Sequence, residues 1–197
     1  YNVNSWAVKR VPFVNGVGLC PNVMKEINIL KALSHRNIIR LHASWIDGNT
    51  SEICYAMKKY EYDLRYIVYN EPMLPESIRM CLFSDILKGL EYLHSKNIIH
   101  RDLSMGNILV DVSQTNIPIA IICDFGMSIH YEDGERLLAR RTTFIYSSPE
   151  MLMKITGSYN DYDLACYTTK TDIWSAGCIF YEMITKKSLF TNYTYWT

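Results

Sequence analysis

Three polar side chains, Asp102, Asn107 and Asp124, are of the types that hold a divalent cation in proteins. Carboxylate and amide oxygens are hard ligands of the kind that Mg²⁺ prefers. Asp102 stands five positions before the amide of Asn107, where a second carboxylate can orient a hydroxyl group and accept its proton. Asp and Asn also favour turns, so these residue types alone leave a purely structural interpretation open.

Lys9 is a basic residue that could contact a ligand bound at Asp102, Asn107 and Asp124. It lies in a segment of β-strand character, residues 5–11, and precedes Glu26 by 17 positions. Glu26 belongs to an amphipathic helix predicted over residues 21–33, on its inward face. A Lys–Glu pair held in this way can grip phosphate oxygens. The alternative is a solvated strand lysine.

The remaining elements must position these side chains. Apolar spacing and turn signals predict a mixed chain with strands first and helices later, which is an α+β fold. The predicted segments are strands at 38–46 and 52–60, a helix at 75–95, a hairpin from 107–112 and 117–125, and a helix at 172–185. The last helix is apolar on nearly all sides, so we expect it to be buried.

Composition narrows the classes of protein. The 197 residues are 49% hydrophobic and 20% charged with a net charge of zero, which suits one globular domain and gives no sign of nucleic-acid binding. The longest apolar run, residues 117–123, is too short to span a membrane. The six cysteines are scattered, which favours free thiols in a reducing, intracellular compartment, cytoplasmic or nuclear.

The ordered motifs resemble those of eukaryotic-type protein kinase catalytic domains of the Ser/Thr type. They cover nearly the whole chain, and within the family they are most similar to cyclin-dependent-kinase-like members. The matches are AVK at 7–9, Glu26, HRDLSMGN at 100–107, DFG at 124–126, SPE at 148–150 and DIWSAG at 172–177.

The resemblance implies a bilobal kinase-like fold and its domain boundaries. We expect a small sheet-rich N-lobe over residues 1–57, a hinge over 58–63 and a larger helical C-lobe over 64–197. Only eight residues precede Lys9, so the glycine-rich loop of kinases is missing, and the helices that usually follow the DIWSAG helix are missing too. We interpret both lobes as incomplete, either in a fragment of a longer kinase or in a naturally short product.

The resemblance also assigns catalytic roles, with ATP and Mg²⁺ as cofactors. Asp102 is expected to be the catalytic base, Asn107 and Asp124 the Mg²⁺ ligands, and Lys9 the phosphate clamp oriented by Glu26. Asp172 is expected to be a buried structural carboxylate that receives backbone amides of the catalytic loop.

Nucleotide-binding positions follow from the same resemblance. The expected adenine and ribose contacts are the sandwich residues Ala7 and Leu109, the gatekeeper Met57, the hinge residues Lys58, Lys59 and Tyr60, and the hinge-end acid Asp63. The stacked residues that couple the first helix to the catalytic loop are expected to be Leu30, Leu41, His100 and Phe125, for which plain core packing is equally valid.

Two departures from the family pattern bear on activity. Ser104 stands where Ser/Thr kinases usually have lysine, so one cationic stabiliser of the transition state is replaced by a hydroxyl. Thr143 matches the threonine of Ser/Thr kinases and favours that specificity.

The activation segment is the second departure, because its usual phosphothreonine position falls near 138–139, where the residues are Leu and Ala. A fixed charge for Arg101 from Glu132, Asp133 or Glu135 is one hypothesis, and a solvated acidic loop is the other. The possible phosphosites are Tyr131, Thr142 and Thr143. Glu150 is expected to lack the arginine that usually pairs with it.

The sequence therefore predicts an ATP- and Mg²⁺-dependent kinase that phosphorylates Ser or Thr in protein substrates, without nucleic-acid or membrane partners. A regulatory subunit on the 21–33 helix is a further expectation. The alternatives are a weak or inactive pseudokinase that serves as a binding scaffold, and a small-molecule kinase. DFG, SPE and the DIWSAG helix favour a protein substrate, because that segment builds a peptide platform.

Overall fold

A three-stranded antiparallel sheet forms the N-terminal part of the chain. The computed structural model describes residues 5–13, 21–71, 74–113, 117–131, 144–152 and 168–190. The strands are β1 (Trp6–Pro12), β2 (Leu41–Asp47) and β3 (Glu52–Lys58), in the order β1-β3-β2. The turn between β2 and β3 is closed by Asp47, whose side chain accepts a hydrogen bond from the Asn49 amide at 3.0 Å.

Helix α1 (Pro21–Ala32) packs beside this sheet. Its inward face carries Val23, Ile27 and Leu30 at helical spacing, and Glu26 is buried on the same face with only 4% of its surface exposed. The prediction that Glu26 faces inward is confirmed. A carboxylate on a core-facing position needs a partner, and Lys9 on β1 provides it.

Helices are the main secondary structure in the rest of the described chain. They are α2 (Leu64–Asn70), α3 (Glu76–Ser95), α4 (Pro149–Leu152) and α5 (Lys170–Thr185). In α3 the apolar residues Leu82, Ile86, Leu90 and Leu93 are fully buried, which fixes this helix as the centre of the core. The sequence reading missed α2 and α4, because helices of one or two turns carry little periodicity.

Short strands lie before and between these helices. They are β4 (Tyr62–Asp63), β5 (Ile98–Ile99), β6 (Ile108–Asp111), β7 (Ile119–Ile122) and β8 (Ile129–His130). One sheet has the order β4-β6-β7 and the other pairs β5 with β8. The predicted hairpin is confirmed, since β6 and β7 pair antiparallel with Ile108 opposite Ile122. Single-turn 3₁₀ helices occur at Met105–Asn107 and Phe144–Tyr146.

The predicted strand over 38–46 was wrong at its start, because β2 begins at Leu41. The preceding residues join β7 instead: the Ile39 amide donates to the Ile122 carbonyl, and the Ile122 amide donates to the Asn37 carbonyl, both at 2.9 Å. Ile38 forms an isolated parallel bridge with Ile122. An apolar β-rich run does not reveal which of two sheets its backbone will join. These bonds tie the N-terminal sheet to the helical part.

The prediction that the 172–185 helix is buried on nearly all sides was also wrong. Helix α5 buries Ala176, Ile179 and Met183, but its opposite face exposes the side chains of Ile173, Trp174, Tyr181 and Ile184. Composition alone cannot show which faces of an apolar helix its neighbours cover.

Gly89 allows α3 to lie against the seam formed by β7 and the segment before β2. A Cβ atom at this position would lie 2.8 Å from Ile122 Cδ1 and 3.1 Å from the Asn37 carbonyl oxygen. We expect Gly89→Ala to lower the free energy of unfolding by about 1–2 kcal/mol in urea titration, because overpacking outweighs the better helix propensity of alanine.

Gly177→Ala is the matched control in α5, where a Cβ atom would meet nothing within 4 Å. There we expect a gain of up to about 1 kcal/mol from propensity alone. If both substitutions stabilise the protein to the same degree, the tight contact at Gly89 does not exist in solution.

Candidate active site

Asp172 fixes the backbone of the loop that begins at His100. Its carboxylate, fully buried at the start of α5, accepts the His100 amide at Oδ2 and the Arg101 amide at Oδ1, both at 2.9 Å. Arg101 has a φ angle of 67°, in the left-handed region that is costly for a residue with a side chain. The two hydrogen bonds offset that cost, so the predicted structural role of Asp172 is confirmed.

The His100 ring joins the loop to the segment that carries Asp124. Its Nδ1 accepts the Asp102 amide at 3.3 Å, so the proton lies on Nε2, which donates to the Cys123 carbonyl at 2.9 Å. Phe125 packs edge-on against the same ring with 5.1 Å between centroids. Asp102 and Asp124 thereby flank one buried imidazole.

Asn107 is positioned by the 3₁₀ turn that follows the loop. Its side-chain Nδ2 donates to the Asp102 carbonyl at 2.7 Å and lies 3.3 Å from Asp102 Oδ2. Because the amide nitrogen is used internally, Oδ1 is the atom that remains to face a ligand. The Asn107 carbonyl accepts the Cys123 amide at 2.9 Å, which places Asp124 one residue from this contact.

Lys9 bridges the two parts of the molecule. Its Nζ lies 3.0 Å from both carboxylate oxygens of Glu26 and 3.6 Å from Asp124 Oδ1. The sequence prediction of a Lys9–Glu26 pair is confirmed. Since Glu26 belongs to α1 and Asp124 follows β7, one ammonium group draws three separate elements together.

Electrostatics keep Lys9 charged. Burial by itself lowers the pKa of Lys9, but the neighbouring Tyr55 and the negative charges of Glu26 and Asp124 outweigh it and raise the pKa above its usual value. The Cys123 thiol, in contrast, has its pKa raised to about 12 by burial and by the nearby charges of Asp124 and Asp63. The site therefore presents a permanent cation beside an unreactive thiol.

The donor set fits a divalent cation. Asn107 Oδ1 and the half-exposed Asp124 carboxylate are hard oxygen ligands on two segments that are hydrogen-bonded to each other. The Asp124 backbone has a φ angle of 61°, which turns the chain sharply after β7. The Gly126 amide lies 3.3 Å from Asp124 Oδ1 and leaves the other oxygen without that contact.

Four of the predicted nucleotide contacts occur as facing pairs. Ala7 lies opposite Met57 in the β1–β3 register, and Asp63 lies opposite Leu109 in the β4–β6 register. Asp63 has a second task that the sequence reading missed: its Oδ1 accepts the Tyr66 amide at 2.7 Å and caps the start of α2.

Two predicted hinge residues send their side chains elsewhere. Lys58 Nζ forms an ion pair with Asp111 Oδ2 at 2.6 Å and lies 4.9 Å from the centre of the Tyr60 ring. Burial raises the pKa of Tyr60 to about 12, so the ring stays neutral. Between them, the Lys59 amide donates to the Ser5 carbonyl at 2.9 Å.

His94 was another residue that sequence reasoning missed. Its Nε2 lies 2.9 Å from Asp172 Oδ2, so the buried carboxylate has three partners. No motif marks His94, which is one polar residue in the last turn of α3.

Other predicted residues have simpler outcomes. Arg101 donates its Nε to the Met127 carbonyl at 2.6 Å, and Glu150 accepts a hydrogen bond from Thr171 at 3.2 Å, so Glu150 is not without a partner. Leu30 and Leu41 pack in the same core as Phe125. The acidic candidates, the 138–139 position, Thr142 and Thr143 lie outside the described residues.

The family model described as the protein kinase domain matches residues 2–196. The chain belongs to the protein kinase family. This kinase domain is 34% identical to the serine/threonine kinase NLK of Caenorhabditis elegans, over 93% of the chain and 28% of that protein. It is 35% identical to cyclin-dependent kinase 11 of Dictyostelium discoideum, over 84% of the chain and 43% of the relative.

A third relative, the mitogen-activated protein kinase HOG1 of Exserohilum turcicum, is 35% identical over 93% of the chain and 51% of its own length. Among solved structures, a chain of the yeast RNA Pol II CTD kinase CTDK-1 complex superposes with a TM-score of 0.79 at 25% identity. That match covers 95% of the kinase domain and 57% of the solved chain.

These comparisons confirm the predicted protein kinase family and bilobal fold class, and they show the expected similarity to cyclin-dependent kinases and related serine/threonine kinases. The kinase domain spans only between 28% and 51% of the length of these three relatives. None of the helices in the described ranges has the length and apolar character needed to cross a membrane.

Proposed function

We propose that this kinase domain transfers the γ-phosphoryl group of ATP to Ser or Thr hydroxyls of protein substrates in a Mg²⁺-dependent reaction. The observation that carries the proposal is Lys9, which contacts Glu26 on α1 at 3.0 Å and Asp124 at 3.6 Å. A strand lysine that contacts both a buried helix carboxylate and a candidate metal-binding acid is the arrangement that grips phosphate oxygens in kinases.

Each residue of the site has its own role in this reaction. Asp102 accepts the proton of the substrate hydroxyl, and its own position is fixed by the 2.7 Å bond from Asn107 to its carbonyl. Lys9 binds phosphate oxygens, with Glu26 holding the ammonium in place. Asn107 and Asp124 would hold Mg²⁺, which when bound neutralises charge on the phosphates.

We assign the nucleotide base and ribose to the cleft between the lobes. Ala7 and Leu109 enclose the adenine ring, the backbone of residues 58–60 meets its edge beside Met57, and Asp63 reaches the ribose. This assignment divides the chain into an N-lobe at 1–57, a hinge at 58–63 and a C-lobe at 64–197.

A partner on α1 follows from the same arrangement. Any protein that shifts α1 moves Glu26 relative to Lys9 and changes the clamp. The outer face of the helix exposes Asn22, Lys25 and Asn28, which suits contact with a regulatory subunit of the kind that cyclin-dependent relatives use. We place this kinase domain inside the cell on the strength of the same relatives.

The test is transfer of radiolabelled phosphate from ATP to a basic protein such as histone. We expect the full-length protein that contains this domain to label Ser or Thr, as shown by phosphoamino-acid analysis, and expect chelation of Mg²⁺ to stop the reaction. A parallel preparation of Asp102→Asn reports contaminating kinases. ATP binding without transfer by the wild-type protein would instead favour a pseudokinase scaffold.

Ser104 is expected to lower the rate of phosphoryl transfer relative to a lysine at the same position. It is buried in the loop with 6% exposure and offers a hydroxyl where a cation would stabilise the charged transition state. We expect Ser104→Lys to raise the turnover number by about tenfold or more, because one charged donor in such a site is worth roughly 2–4 kcal/mol.

Ser104→Met is the matched control for side-chain length without charge. It is expected to leave the turnover number at or below the wild-type value. An equal gain from both substitutions would show that charge at this position is irrelevant to the reaction.

A further inference from the structure

A groove of about 1090 Å³ lies behind the hinge, where the two lobes meet. Its walls come from the segment before β2, from the hinge and from the β6–β7 hairpin. Ile38 and Ile121, each 4% exposed, are its buried apolar residues, and Arg36 and Arg40 stand exposed at its edge. We call it the hinge groove. The proposed catalytic residues are not among those that line it.

The charge of the hinge groove is positive. Lys58 and Asp111 on its wall neutralise each other through their 2.6 Å ion pair. In the part of the chain that the structure describes, neither Arg36 nor Arg40 lies within ion-pair distance of a carboxylate. Two guanidinium groups that are four residues apart thus face solvent over an apolar surface. Guanidinium groups are suited to bidentate contact with carboxylates.

Neighbouring rings extend this surface. The His35 ring stacks on Tyr92 with 4.9 Å between centroids, and its Nδ1 accepts the Asn37 amide at 3.2 Å. That bond leaves Nε2 as the ring nitrogen that can donate to a ligand. Trp6, 43% exposed, stacks on His42 at 3.9 Å and offers apolar area beside Arg40.

We infer that the hinge groove binds an acidic peptide segment of a partner protein, with one apolar side chain of that segment inserted between its carboxylates onto Ile38 and Ile121. Charge complementarity selects the acidic residues, and the apolar floor selects an extended peptide over a polyphosphate. A nucleic acid would leave the isoleucine floor uncovered, because its backbone contacts are made by charge. The inference is independent of the proposed catalytic activity.

The test measures binding of a fluorescein-labelled decapeptide, rich in Glu with one central Leu, to the full-length protein by fluorescence polarisation. We expect saturable binding that Arg36→Glu/Arg40→Glu weakens by about tenfold or more, since two charge pairs are lost and repulsion replaces them. Lys96→Glu/Lys187→Glu is the control with the same change in net charge on exposed positions away from the groove, and it is expected to bind as wild type. Melting temperatures identify any variant that fails to fold.

Two further measurements identify where the peptide binds and whether its leucine contributes to binding. Hydrogen exchange is expected to slow on peptide binding at residues 36–42 and 119–122, and replacing Leu by Ser in the peptide is expected to weaken binding by about fivefold or more. Equal losses in the two double variants, protection outside the groove, or single-stranded RNA binding as tightly as the peptide would each overturn the inference.

Discussion

Asp102→Asn is expected to slow phosphoryl transfer by about a thousandfold while the protein stays folded and still binds ATP. Asparagine keeps the size of the side chain and can keep the hydrogen bond from Asn107, because the 2.7 Å contact is made to the backbone carbonyl of residue 102. What it removes is the carboxylate that we propose as the acceptor of the proton of the incoming hydroxyl. The loss should therefore fall on turnover and not on nucleotide affinity.

Single-turnover assays with radiolabelled ATP, together with a nucleotide-binding titration, separate these two quantities. Lys9→Met is the informative companion, because removal of the clamp that contacts Glu26 and Asp124 is expected to weaken ATP binding as well as transfer. If Asp102→Asn loses affinity but keeps its turnover number, Asp102 does not act as the base.

Asp172→Ala is expected to lower the free energy of unfolding by about 3–5 kcal/mol. The substitution strips the fully buried His100 and Arg101 amides of the carboxylate that accepts them at 2.9 Å, and it removes the partner of His94. Arg101 also loses the bond that offsets its left-handed backbone, with φ at 67°.

Urea unfolding followed by circular dichroism measures the change. Glu61→Ala is the control, since this exposed acidic residue is expected to shift stability by less than about 0.5 kcal/mol. A loss below about 1 kcal/mol for Asp172→Ala would mean that water replaces the carboxylate and that the loop does not depend on α5.

Local periodicity predicted the long elements well. Helix α3 was expected at 75–95 and spans Glu76–Ser95, and the lysine strand was expected at 5–11 and spans Trp6–Pro12. In both cases the periodic spacing of apolar residues indicates the type of element. The strand prediction was wrong for residues 38–40, because tertiary hydrogen bonds decide which of two sheets they join. One such bond runs from the Ile39 amide to the Ile122 carbonyl.

The predicted side-chain contacts occur where a motif names the residue. Lys9, Glu26 and Asp172 lie in recognisable motifs, and their contacts agree with the expectation. His94 and the Lys58–Asp111 pair belong to no motif, because their partners are set by how α3, the end of β3 and the β6–β7 hairpin pack together. Side-chain direction at the end of a strand is a tertiary property that spacing does not encode.

The bond between the His100 amide and Asp172 spans 72 residues, which has a consequence for biosynthesis. A ribosome adds roughly 5–20 residues per second, so the loop emerges several seconds before the carboxylate that fixes it is made. During that interval the carboxylate that accepts the His100 and Arg101 amides in the folded protein has not yet been made. Nascent chains halted short of α5 should therefore leave the loop open to proteases, and full protection should arise only once that helix has left the exit tunnel.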